Sequence, residues 1–573
     1  MKSLAGLLTL NLLPCALFSQ YTITGSSWIS GSGDADYTTG VGIKANGIIN
    51  VAAIIGDAAP GGLTPILLNG ATVSSGGAVL QVSPDGETVL SVTRVAGEVL
   101  DMAMDDAENI YLAAGSGGII KLNPSADTVL WTAPSGGYCR RLDTGADGTV
   151  IGLNNSGSDA GTCYVYDSTG TELGFFGGMN FTQDVALKSD IERVYQIGFK
   201  NDHSGCNPVQ VAYLRCLDYA GTEIWRNYDW PGTWLDNCDG DGWDNLMADT
   251  RGYRVTIGRD GLLYGAFESA GGNHIFSREP DRSDPNNLKT SVTIVGGDMW
   301  FAWWNTKSEH KTFVGRYHPT DGDYLLGQQL CTRYWDGDSS NGNALRVVDG
   351  SLAVDGDGKV YVGGVSASGL PFNPTHATSD QSYTAGAGEV EFNPFPMTAE
   401  DNVYSGGAYL IVLSSDLSKR LYCTRLSAGT TRAVDARVLE GKTEASLAWA
   451  GNVAELNMDW QDTNRKERVL HTVSPFQPAR AGGTNDGFLA VIGQGGVAVA
   501  APVVRIGWLE SLGKWEFRFE SEPGVTYQLM SSETLSPASW SALEVPVTGD
   551  GSVQIIETDP PAENRMFYRI ESE

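Results

Sequence analysis

Short apolar segments alternate along this chain with turns that are rich in glycine, aspartate and asparagine. Ile110 and Tyr111, for example, follow a turn that begins at Asp106 and come shortly before Gly115. Helical periodicity is nearly absent, and short apolar or alternating runs bounded by such turns are typical of β-strands. The pattern therefore predicts an all-β protein built from many short strands.

Two segments that begin 51 residues apart have nearly the same sequence. Residues 166–173 read YDSTGTEL, and residues 217–224 read LDYAGTEI. Each segment consists of an apolar strand, an Asp-x-x-Gly turn and a second apolar strand. Self-similarity at a constant spacing is typical of a repeat architecture.

A second repeated element is an aspartate-led turn followed by an apolar strand. It begins at Asp106, Asp147 and Asp190, at intervals of 41 and 43 residues, and it recurs at Asp260 and Asp357. An interval of about 40 to 45 residues is the length of one four-stranded propeller blade. The two elements together predict a β-propeller of about six to eight blades, with seven favoured. The Asp-x-x-Gly turns are then the outer hairpins of neighbouring blades.

The regular interval is lost in the middle of the chain. Asp190 and Asp260 are 70 residues apart, and Asp260 and Asp357 are 97 apart. Insertions in blade loops at about residues 225–345 account for this, because loops on one face can lengthen while the blades are unchanged. The insertions contain eight of the fifteen tryptophans. We therefore expect the function to lie where the repeat fails.

Residues 351–426 resemble the bacterial β-propeller repeats known as SBBP repeats. The matching sequences are DGKVYVGG at 357–364, GLPF at 369–372, GAYLIVL at 407–413 and RLYCT at 420–424. NDGFLAVI at 485–492 matches the Asp-(Ala/Gly)-Phe strand of the family more closely, because the first copy has Gly407 in place of that aspartate. The resemblance implies a propeller in an exported bacterial protein. It implies no catalytic residues, since the family has no common reaction.

The end of the chain predicts a separate small domain. Residues 493–502 are rich in small residues and are interpreted as a linker between the propeller at 20–492 and a domain at 503–573. KWEFRF at 514–519 alternates strictly, as a half-buried strand does. Together with Trp540, the sequences PGVTYQL and FYRI resemble a C-terminal module of exported proteins from environmental bacteria. The resemblance implies a β-sandwich and, by analogy, a role in surface attachment.

The first residues predict export. Lys2 precedes the apolar stretch from Leu4 to Phe18, which is followed by a plausible cleavage point, so residues 1–19 are interpreted as a signal peptide. No later run of about 20 apolar residues predicts a membrane span. We expect a secreted or cell-surface protein that is not membrane-spanning.

The acidic net charge of the chain disfavours some classes of binding partner. The chain has 573 residues and a formal net charge of −30. An acidic surface of this kind repels nucleic acid and anionic lipid, and it suits divalent cations. Solubility alone also accounts for such a charge. The sequence gives no indication of an oligomeric state.

Seven cysteines remain after the predicted signal peptide, and in an exported protein they are candidates for disulfides. Their spacing favours a bridge between Cys139 and Cys163 and one further bridge within Cys206, Cys216 and Cys238. The sequence leaves the connectivity open, and the odd count leaves at least one thiol unpaired.

An acidic loop predicts a calcium site. Calcium binds oxygen ligands, and acidic residues at alternate positions with glycines between them let a short loop surround the ion. The expected EF-hand glutamate is replaced by Ala248, so the loop is not an EF-hand. A solvated acidic loop with Asp-Gly turns is the alternative. The candidate ligands are Asp236, Asn237, Asp239, Asp241 and Asp244.

Three tryptophans in the longest insertion are candidate ligand-binding residues: Trp300, Trp303 and Trp304. Exposed aromatic rings stack on the faces of sugars, and loops on a propeller face are suitable places for them. The alternative is that these rings are buried beneath the insertion, because tryptophan is highly buried on average.

The sequence favours a binding or structural module, one that recognises extracellular glycan or protein at the cell surface. The alternative is an enzyme acting on polysaccharide, a glycoside hydrolase or lyase, which would need a pair of suitably spaced carboxylates. The nearest candidates are Glu268, Asp298, Glu309 and His310. The histidines lack metal-ligand spacing, and the chain has no Gly-x-Ser-x-Gly motif. Calcium is the only cofactor that the sequence indicates.

Overall fold

A computed structural model describes most of the propeller and part of the C-terminal domain. The described residues are 21–31, 36–57, 60–73, 76–134, 136–203, 207–235, 246–295, 310–330, 332–333, 342–343, 345–366, 390–392, 407–427, 429–442, 444–454, 456–457, 466–467, 470–483, 485–493, 505–509, 513–521, 526–532, 541–550, 552–559 and 567–572.

Seven sheets of four or five strands, here called blades 1 to 7, follow one another between residues 22 and 493, and their strands pair antiparallel apart from one parallel edge pair in each of blades 1 and 6. Strand β1 (Thr22–Ile29) precedes them and belongs to the last sheet. Blade 1 contains β2 (Tyr37–Ile43), β3 (Ile49–Ile55), β4 (Ile66–Leu67), β5 (Gly76–Val82) and β6 (Val89–Val95). Blade 2 contains β7 (Asp101–Met104), β8 (Ile110–Ala113), β9 (Ile119–Leu122) and β10 (Val129–Ala133). Blade 3 contains β11 (Cys139–Thr144), β12 (Val150–Asn154), β13 (Thr162–Tyr166) and β14 (Glu172–Gly177).

The remaining blades have the same strand order. Blade 4 contains β15 (Phe181–Lys188), β16 (Arg193–His203), β17 (Pro208–Leu217) and β18 (Glu223–Tyr228). Blade 5 contains β19 (Thr250–Ile257), β20 (Leu263–Ser269), β21 (Lys311–Tyr317) and β22 (Tyr324–Leu330), and it is followed by the hairpin β23 (Thr332–Arg333) and β24 (Gly342–Asn343). Blade 6 contains β25 (Leu345–Val354), β26 (Val360–Ser366), β27 (Val390–Phe392), β28 (Gly407–Leu413) and β29 (Arg420–Ser427). Blade 7 contains β30 (Gly429–Val438), β31 (Ala445–Ala454), β34 (Asn485–Gly493) and β1, with the hairpin β32 (Leu456–Asn457) and β33 (Lys466–Glu467) before β34.

The first strands of the blades form a closed ring around a central channel. Each of β2, β7, β11, β15, β19, β25 and β30 contacts the next in this order, and β30 contacts β2. The ring is closed by both ends of the domain, because β1 is the outermost strand of blade 7 and pairs with β34. The molecule is therefore a seven-bladed β-propeller, which confirms the fold predicted from the repeat.

The core of the propeller lies between the blades. Six buried apolar clusters among the described residues each join two consecutive blades, from the blade 7–blade 1 junction to the blade 5–blade 6 junction. Leu112 and Val79, for example, share one cluster, although they belong to blades 2 and 1. Strands covered on both sides by neighbouring blades are apolar on both faces, which accounts for the continuous apolar runs in the sequence.

The repeated Asp-x-x-Gly turns connect the third and fourth strands of blades 3 and 4, as predicted. Asp167 accepts hydrogen bonds from the backbone N–H groups of Thr169 and Thr171, at 2.8 and 2.9 Å, and so closes its turn. The turn glycine has positive φ and lies against an aromatic ring of the preceding blade. Such glycine–ring pairs are Gly170–Trp131, Gly221–Phe176 and Gly322–Trp225.

We expect Gly221→Ala to destabilise the protein far more than Gly261→Ala. Both glycines have φ near +80°, so alanine is strained at either position. A methyl group on Gly221 would lie 2.5 Å from Phe176 Cβ, whereas nothing lies within 4 Å of one on Gly261. We expect a loss of about 1 kcal/mol for Gly261→Ala and about 2–4 kcal/mol for Gly221→Ala, measured by urea unfolding. Equal losses would contradict packing of the turn against the neighbouring blade.

Parts of the connection from blade 4 to blade 5 and of the long connection within blade 5 are folded into the core. The helix α1 (Gly232–Leu235) and the short 3-10 helices Ile275–Ser277 and Asn287–Lys289 bury Leu235, Phe276 and Leu288 in the cluster between blades 4 and 5. No helix in the described part of the chain combines the length and the hydropathy of a membrane span.

The chain divides into two compact units, the propeller at Ile23–Gly493 and a second unit that contains Gln494–Glu573. In the second unit, β35 (Arg505–Leu509), β36 (Lys514–Glu520) and β40 (Val553–Thr558) form one sheet. The other sheet contains β37 (Thr526–Ser532), β38 (Ser541–Ala542), β39 (Val547–Thr548) and β41 (Phe567–Ser572). Phe517 and Phe519 pack against Tyr527 of the other sheet, as the alternation in β36 predicts. The β-sandwich itself stays a prediction.

Candidate functional site

The two ends of the blades differ in the length of their connections. At one end, here called the turn face, the strand 1–2 and strand 3–4 connections within the blades have four to six residues. At the other end, here called the long-loop face, the strand 2–3 and blade-to-blade connections reach 41 residues, at 270–310. Long loops on a rigid scaffold are where binding residues concentrate. The long-loop face is therefore the candidate functional surface.

The two sites predicted from the sequence fall in two connections between described strands. The candidate calcium ligands Asp236 to Asp244 follow α1 in the connection from blade 4 to blade 5, and Trp300, Trp303 and Trp304 precede β21 in blade 5. These residues themselves lie outside the described part of the chain, so both sites stay predictions. Within the described ranges, no group of three or more His, Cys, Asp or Glu residues is arranged to hold a metal ion.

The central channel contains a group of buried charges that the sequence analysis did not identify. Residues from all seven first strands surround a cavity of about 130 Å³. The acidic and basic side chains that line it are those of Asp101, Arg141, Asp143, Asp184, Arg254 and Arg432. The cavity is smaller than the roughly 300–1,000 Å³ of typical small-molecule pockets. It has room for water or a small ion rather than for a sugar ring.

The channel carboxylates connect adjacent blades. Asp143 Oδ2 accepts the backbone N–H of Leu187 at 2.8 Å, so blade 3 holds the free edge of the first strand in blade 4. Because a first strand has no sheet partner on the channel side, its outward N–H groups need such acceptors. Equivalent bonds at other junctions are Leu142 N–H to Asp101, Val255 N–H to Asp184, Val434 N–H to Ser351 Oγ and Ile43 N–H to Asp435.

Burial and crowding change the ionisation of these groups. The pKa of Asp143 is raised to about 7, chiefly by burial; the charges of Asp184 and Asp101 also raise it, and two backbone hydrogen bonds oppose the rise. Burial likewise raises the pKa of Asp101 to about 6. Burial and the charge of Arg141 lower the pKa of Arg254 to about 10. The net charge of the channel therefore changes near neutral pH.

Glu268 lies at the long-loop face, where it forms a second charged cluster between blades 5 and 6. Its carboxylate is 2.8 Å from His310 Nδ1 and accepts hydrogen bonds from Arg346 at 2.9 and 3.1 Å. Arg251 donates a longer bond of 3.4 Å to the same carboxylate. The Glu268 side chain is 1% exposed, whereas the side chains of its partners His310 and Arg346 are 21% and 33% exposed, so a buried carboxylate is covered by partly exposed partners.

The surroundings of Glu268 disfavour a role as a catalytic acid. Burial acts to raise its pKa, but the hydrogen bond from His310 and the charge of Arg346 outweigh burial and hold the pKa below its ordinary value. A general acid in glycoside hydrolysis needs the opposite shift. The structure thus brings together two of the sequence-predicted candidates, Glu268 and His310, as a structural ion cluster. Asp298 and Glu309 lie outside the described residues.

Trp234 is an exposed aromatic ring held rigidly at the long-loop face. It is 40% exposed and lies 6.1 Å from the fully buried ring of Trp230. Its helix is anchored by the N–H of Gly232, which donates to Asp202 at 3.1 Å. Leu235 is buried in the core on the other side of the helix. The ring is therefore preorganised for stacking against a ligand.

The predicted disulfide between Cys139 and Cys163 is wrong. Both are buried thiols, and Cys163 Sγ instead accepts a hydrogen bond from the Gln196 amide at 3.0 Å. Cys139 is on β11 and Cys163 is on β13, on either side of β12. Strands two apart in a sheet are separated by about 9–10 Å, beyond the roughly 7 Å that a disulfide spans. Cys216 is a buried thiol that forms no disulfide with a described residue, whereas Cys206 and Cys238 lie outside the described residues.

The channel residues had a signal in the sequence that the repeat analysis did not use. Each aspartate-led turn is preceded by the first strand of its blade, and in blades 2, 3 and 5 a charged residue is the fourth from the end of that strand. These residues are Asp101, Arg141 and Arg254. A charged residue that recurs at the same position of otherwise apolar first strands indicates that polar side chains line the central channel.

Comparison with known proteins does not identify a family for this chain. No family model matches the chain, and neither does any curated protein sequence. Among solved structures, the WD40 β-propeller domain of Doa1 is similar at a TM-score of 0.39 and 8% identity, over 84% of this chain and 99% of that chain. A TM-score of that size carries no argument. The propeller assignment therefore rests on the order of the sheets and the closed ring of first strands.

Proposed function

We propose that this protein is an exported binding module that recognises extracellular glycan on its long-loop face. The observation that carries the proposal is the asymmetry of the propeller. The connections on one face are all tight turns, while the other face carries loops of up to 41 residues together with the exposed ring of Trp234. Export and cell-surface location are supported by the predicted signal peptide and by the resemblance to SBBP repeats.

Neutral glycan is favoured over an anionic polymer. The chain carries a formal charge of −30, which repels polyuronates and sulfated polysaccharides as it repels nucleic acid. Trp234 offers an apolar face to the C–H groups of a sugar ring, and its helix is already ordered, so little entropy is lost on binding. A cell-surface protein is the alternative ligand that the same exposed face allows.

The enzyme alternative has less support. The best candidate carboxylate, Glu268, forms ion pairs with Arg251 and Arg346 among the described residues, and the channel cavity of about 130 Å³ is too small for a sugar ring. A panel of polysaccharides tested for binding and for release of reducing ends separates the two functions. Release of reducing ends by the wild-type protein would favour the enzyme.

We expect Trp234→Ala to weaken glycan binding about tenfold, which corresponds to a loss of about 1.4 kcal/mol of stacking. Binding is measured by affinity electrophoresis in cellulose derivatives, xylan, β-1,3-glucan and agarose, with alginate and pectate as anionic comparisons. Phe175→Ala is the matched control, because Phe175 is 52% exposed but lies on β14, the outermost strand of its blade. Binding to none of the neutral polymers, or equal losses in both variants, would contradict the proposal.

A calcium ion held by Asp236, Asn237, Asp239, Asp241 and Asp244 is proposed as a structural support of this face. A ligand that binds only the native state raises its stability, by about 2.7 kcal/mol at 100 times Kd. We therefore expect the melting temperature to rise with millimolar calcium and to fall with chelator. Magnesium at equal ionic strength is the control. An unchanged melting temperature across millimolar calcium, or the same rise in an Asp239→Asn, Asp241→Asn variant, would exclude the site.

A further inference from the structure

Two buried guanidinium groups in the central channel have N–H groups that lack acceptors. Arg141 Nε and Arg254 Nη2 make no hydrogen bond within the described ranges, although the two residues are only 9% and 7% exposed. Both residues line the channel cavity. Buried polar groups are almost always hydrogen-bonded, and an unsatisfied charged donor is strongly unfavourable. Unsatisfied donors on residues that line a cavity therefore indicate an acceptor within the cavity.

The channel carboxylates do not supply that acceptor. Asp101 Oδ2 is 4.0 Å from Arg141 Nη1, and Asp184 Oδ2 is 3.9 Å from Arg254 Nη1. Both distances exceed the length of a hydrogen bond. Each of these oxygens already accepts a backbone N–H from the next blade. Arg254 donates from Nε to the carbonyl of Gly350 and from Nη1 to that of Tyr253, so the donors left without an acceptor are Arg254 Nη2 and Arg141 Nε.

The arginines also repel one another. Apart from burial, the largest influence that lowers the pKa of Arg254 is the charge of Arg141. Arg140, next to Arg141 on β11, has its pKa lowered to about 9 by burial and then by the charges of Arg141 and Arg254. The positive charges of Arg141 and Arg254 therefore repel one another in the channel, and an anion between the two side chains would offset this repulsion.

We propose that the central channel is a binding site for a small oxyanion, held by Arg141 and Arg254. A planar guanidinium donates to two oxygens of a carboxylate, sulfate or phosphate group, which a spherical ion does not match. The cavity of about 130 Å³ has room for such an anion. Because the anion would join first strands of blades 3 and 5 across the axis, it would stabilise the closed ring. This channel site is separate from the long-loop face, so the test of anion binding does not depend on whether the protein binds glycan.

Acid should strengthen the binding of this anion. Burial places the pKa of Asp143 near 7 and that of Asp101 near 6, so both carboxyls lose charge as the pH falls from 8 to 6. Fewer carboxylates then repel the anion, while the arginines remain protonated. The charged groups that face these two carboxyls or the arginines beside them are Asp184, Asp349, Arg140, Arg141, Arg254 and Arg432.

The test uses the full chain and sulfate, whose charge is constant between pH 6 and pH 8. We expect the melting temperature to rise and then level off as sodium sulfate is increased from 0 to about 10 mM at constant ionic strength. The sulfate concentration that gives half of this rise should be lower at pH 6 than at pH 8. Sodium chloride at equal ionic strength is the control for general salt effects. Selenate soaked into crystals of the protein should give an anomalous peak between Arg141 and Arg254.

Arg141→Gln tests the assignment to this site, because Arg141 holds no strand through a side-chain hydrogen bond. We expect its half-saturating sulfate concentration to rise at least tenfold, while Arg193→Gln, a change outside the channel, leaves it unchanged. If the Arg141 variant fails to fold, the selenate peak in the wild-type crystal shows whether an anion binds between Arg141 and Arg254. A channel that holds only water in that crystal, or a sulfate effect that is the same in both variants, would overturn the proposal.

Discussion

Removal of residues 21–31 should abolish the cooperative unfolding transition of the propeller. These residues contain β1, which is the outermost strand of blade 7 and the only strand of that blade from the N-terminal end of the chain. Trp28 and Ile29 are 6% and 0% exposed, and burial of each contributes about 2–3 kcal/mol. Domains are stable by only about 5–15 kcal/mol in total, so this loss, together with the broken strand pairing, should unfold the ring.

The same deletion removes a hydrogen-bonded latch and exposes a sheet edge. The Gln477 side chain accepts the N–H of Ser30 at 3.2 Å, and its amide donates to Ser30 Oγ at 2.9 Å. Without β1, the edge of β34 is unpaired, and an unpaired edge promotes aggregation. Calorimetry and light scattering measure both effects. A variant that lacks only residues 1–20 is the control, and a truncated protein with the melting temperature of the control would contradict closure by β1.

Glu268→Gln should lower the free energy of unfolding by about 3–5 kcal/mol, which is the usual cost of removing one partner from a buried ion cluster. The glutamine keeps the volume of the side chain but leaves His310, Arg346 and Arg251 without their common anion. The substitution should loosen the junction of blades 5 and 6 in particular. Urea unfolding gives the total, and hydrogen exchange of β25 locates the change.

The free energy of unfolding that Glu268→Gln loses should depend on pH in a defined direction. The folded-state pKa of Glu268 is held below its ordinary value, so the carboxylate stabilises the protein above the unfolded pKa of about 4.3. This contribution disappears as the pH falls through the folded-state pKa. Wild type and Glu268→Gln should therefore differ most at neutral pH and converge in acid.

The matched control is Glu172→Gln, which changes an exposed glutamate on β14. Exposed substitutions of this kind change stability by about 0.5 kcal/mol or less. If Glu268→Gln had an equally small effect at neutral pH, Glu268 would not be the anion that holds the cluster together.

The sequence predicted the elements of this fold that depend on local chemistry. The turn at Asp167 needs an aspartate and a positive-φ glycine within a few residues, so the repeat could be recognised from adjacent positions. The blade interval followed from the same turns. The closing role of β1 had no local signal, because its partner β34 is more than 450 residues away.

The candidate site was less predictable, because it is built from distant residues. Glu268, His310 and Arg346 are brought together only by the pairing of β20 with β21 and by the contact between blades 5 and 6. The wrong disulfide arose from the same limitation, because closeness in sequence placed Cys139 and Cys163 two strands apart. Repeats predict which strands neighbour one another, whereas charges at the axis depend on the closure of the whole ring.

The central claim, that ligand binds the long-loop face, is tested most directly by oxidative footprinting with a neutral polysaccharide that the panel identifies as a ligand. Trp234 and the segment 270–295 should become protected on binding, while the turns at 167–171, 218–222 and 318–323 on the opposite face should remain as reactive as in the free protein. Protection of those turns with Trp234 unchanged would contradict the account.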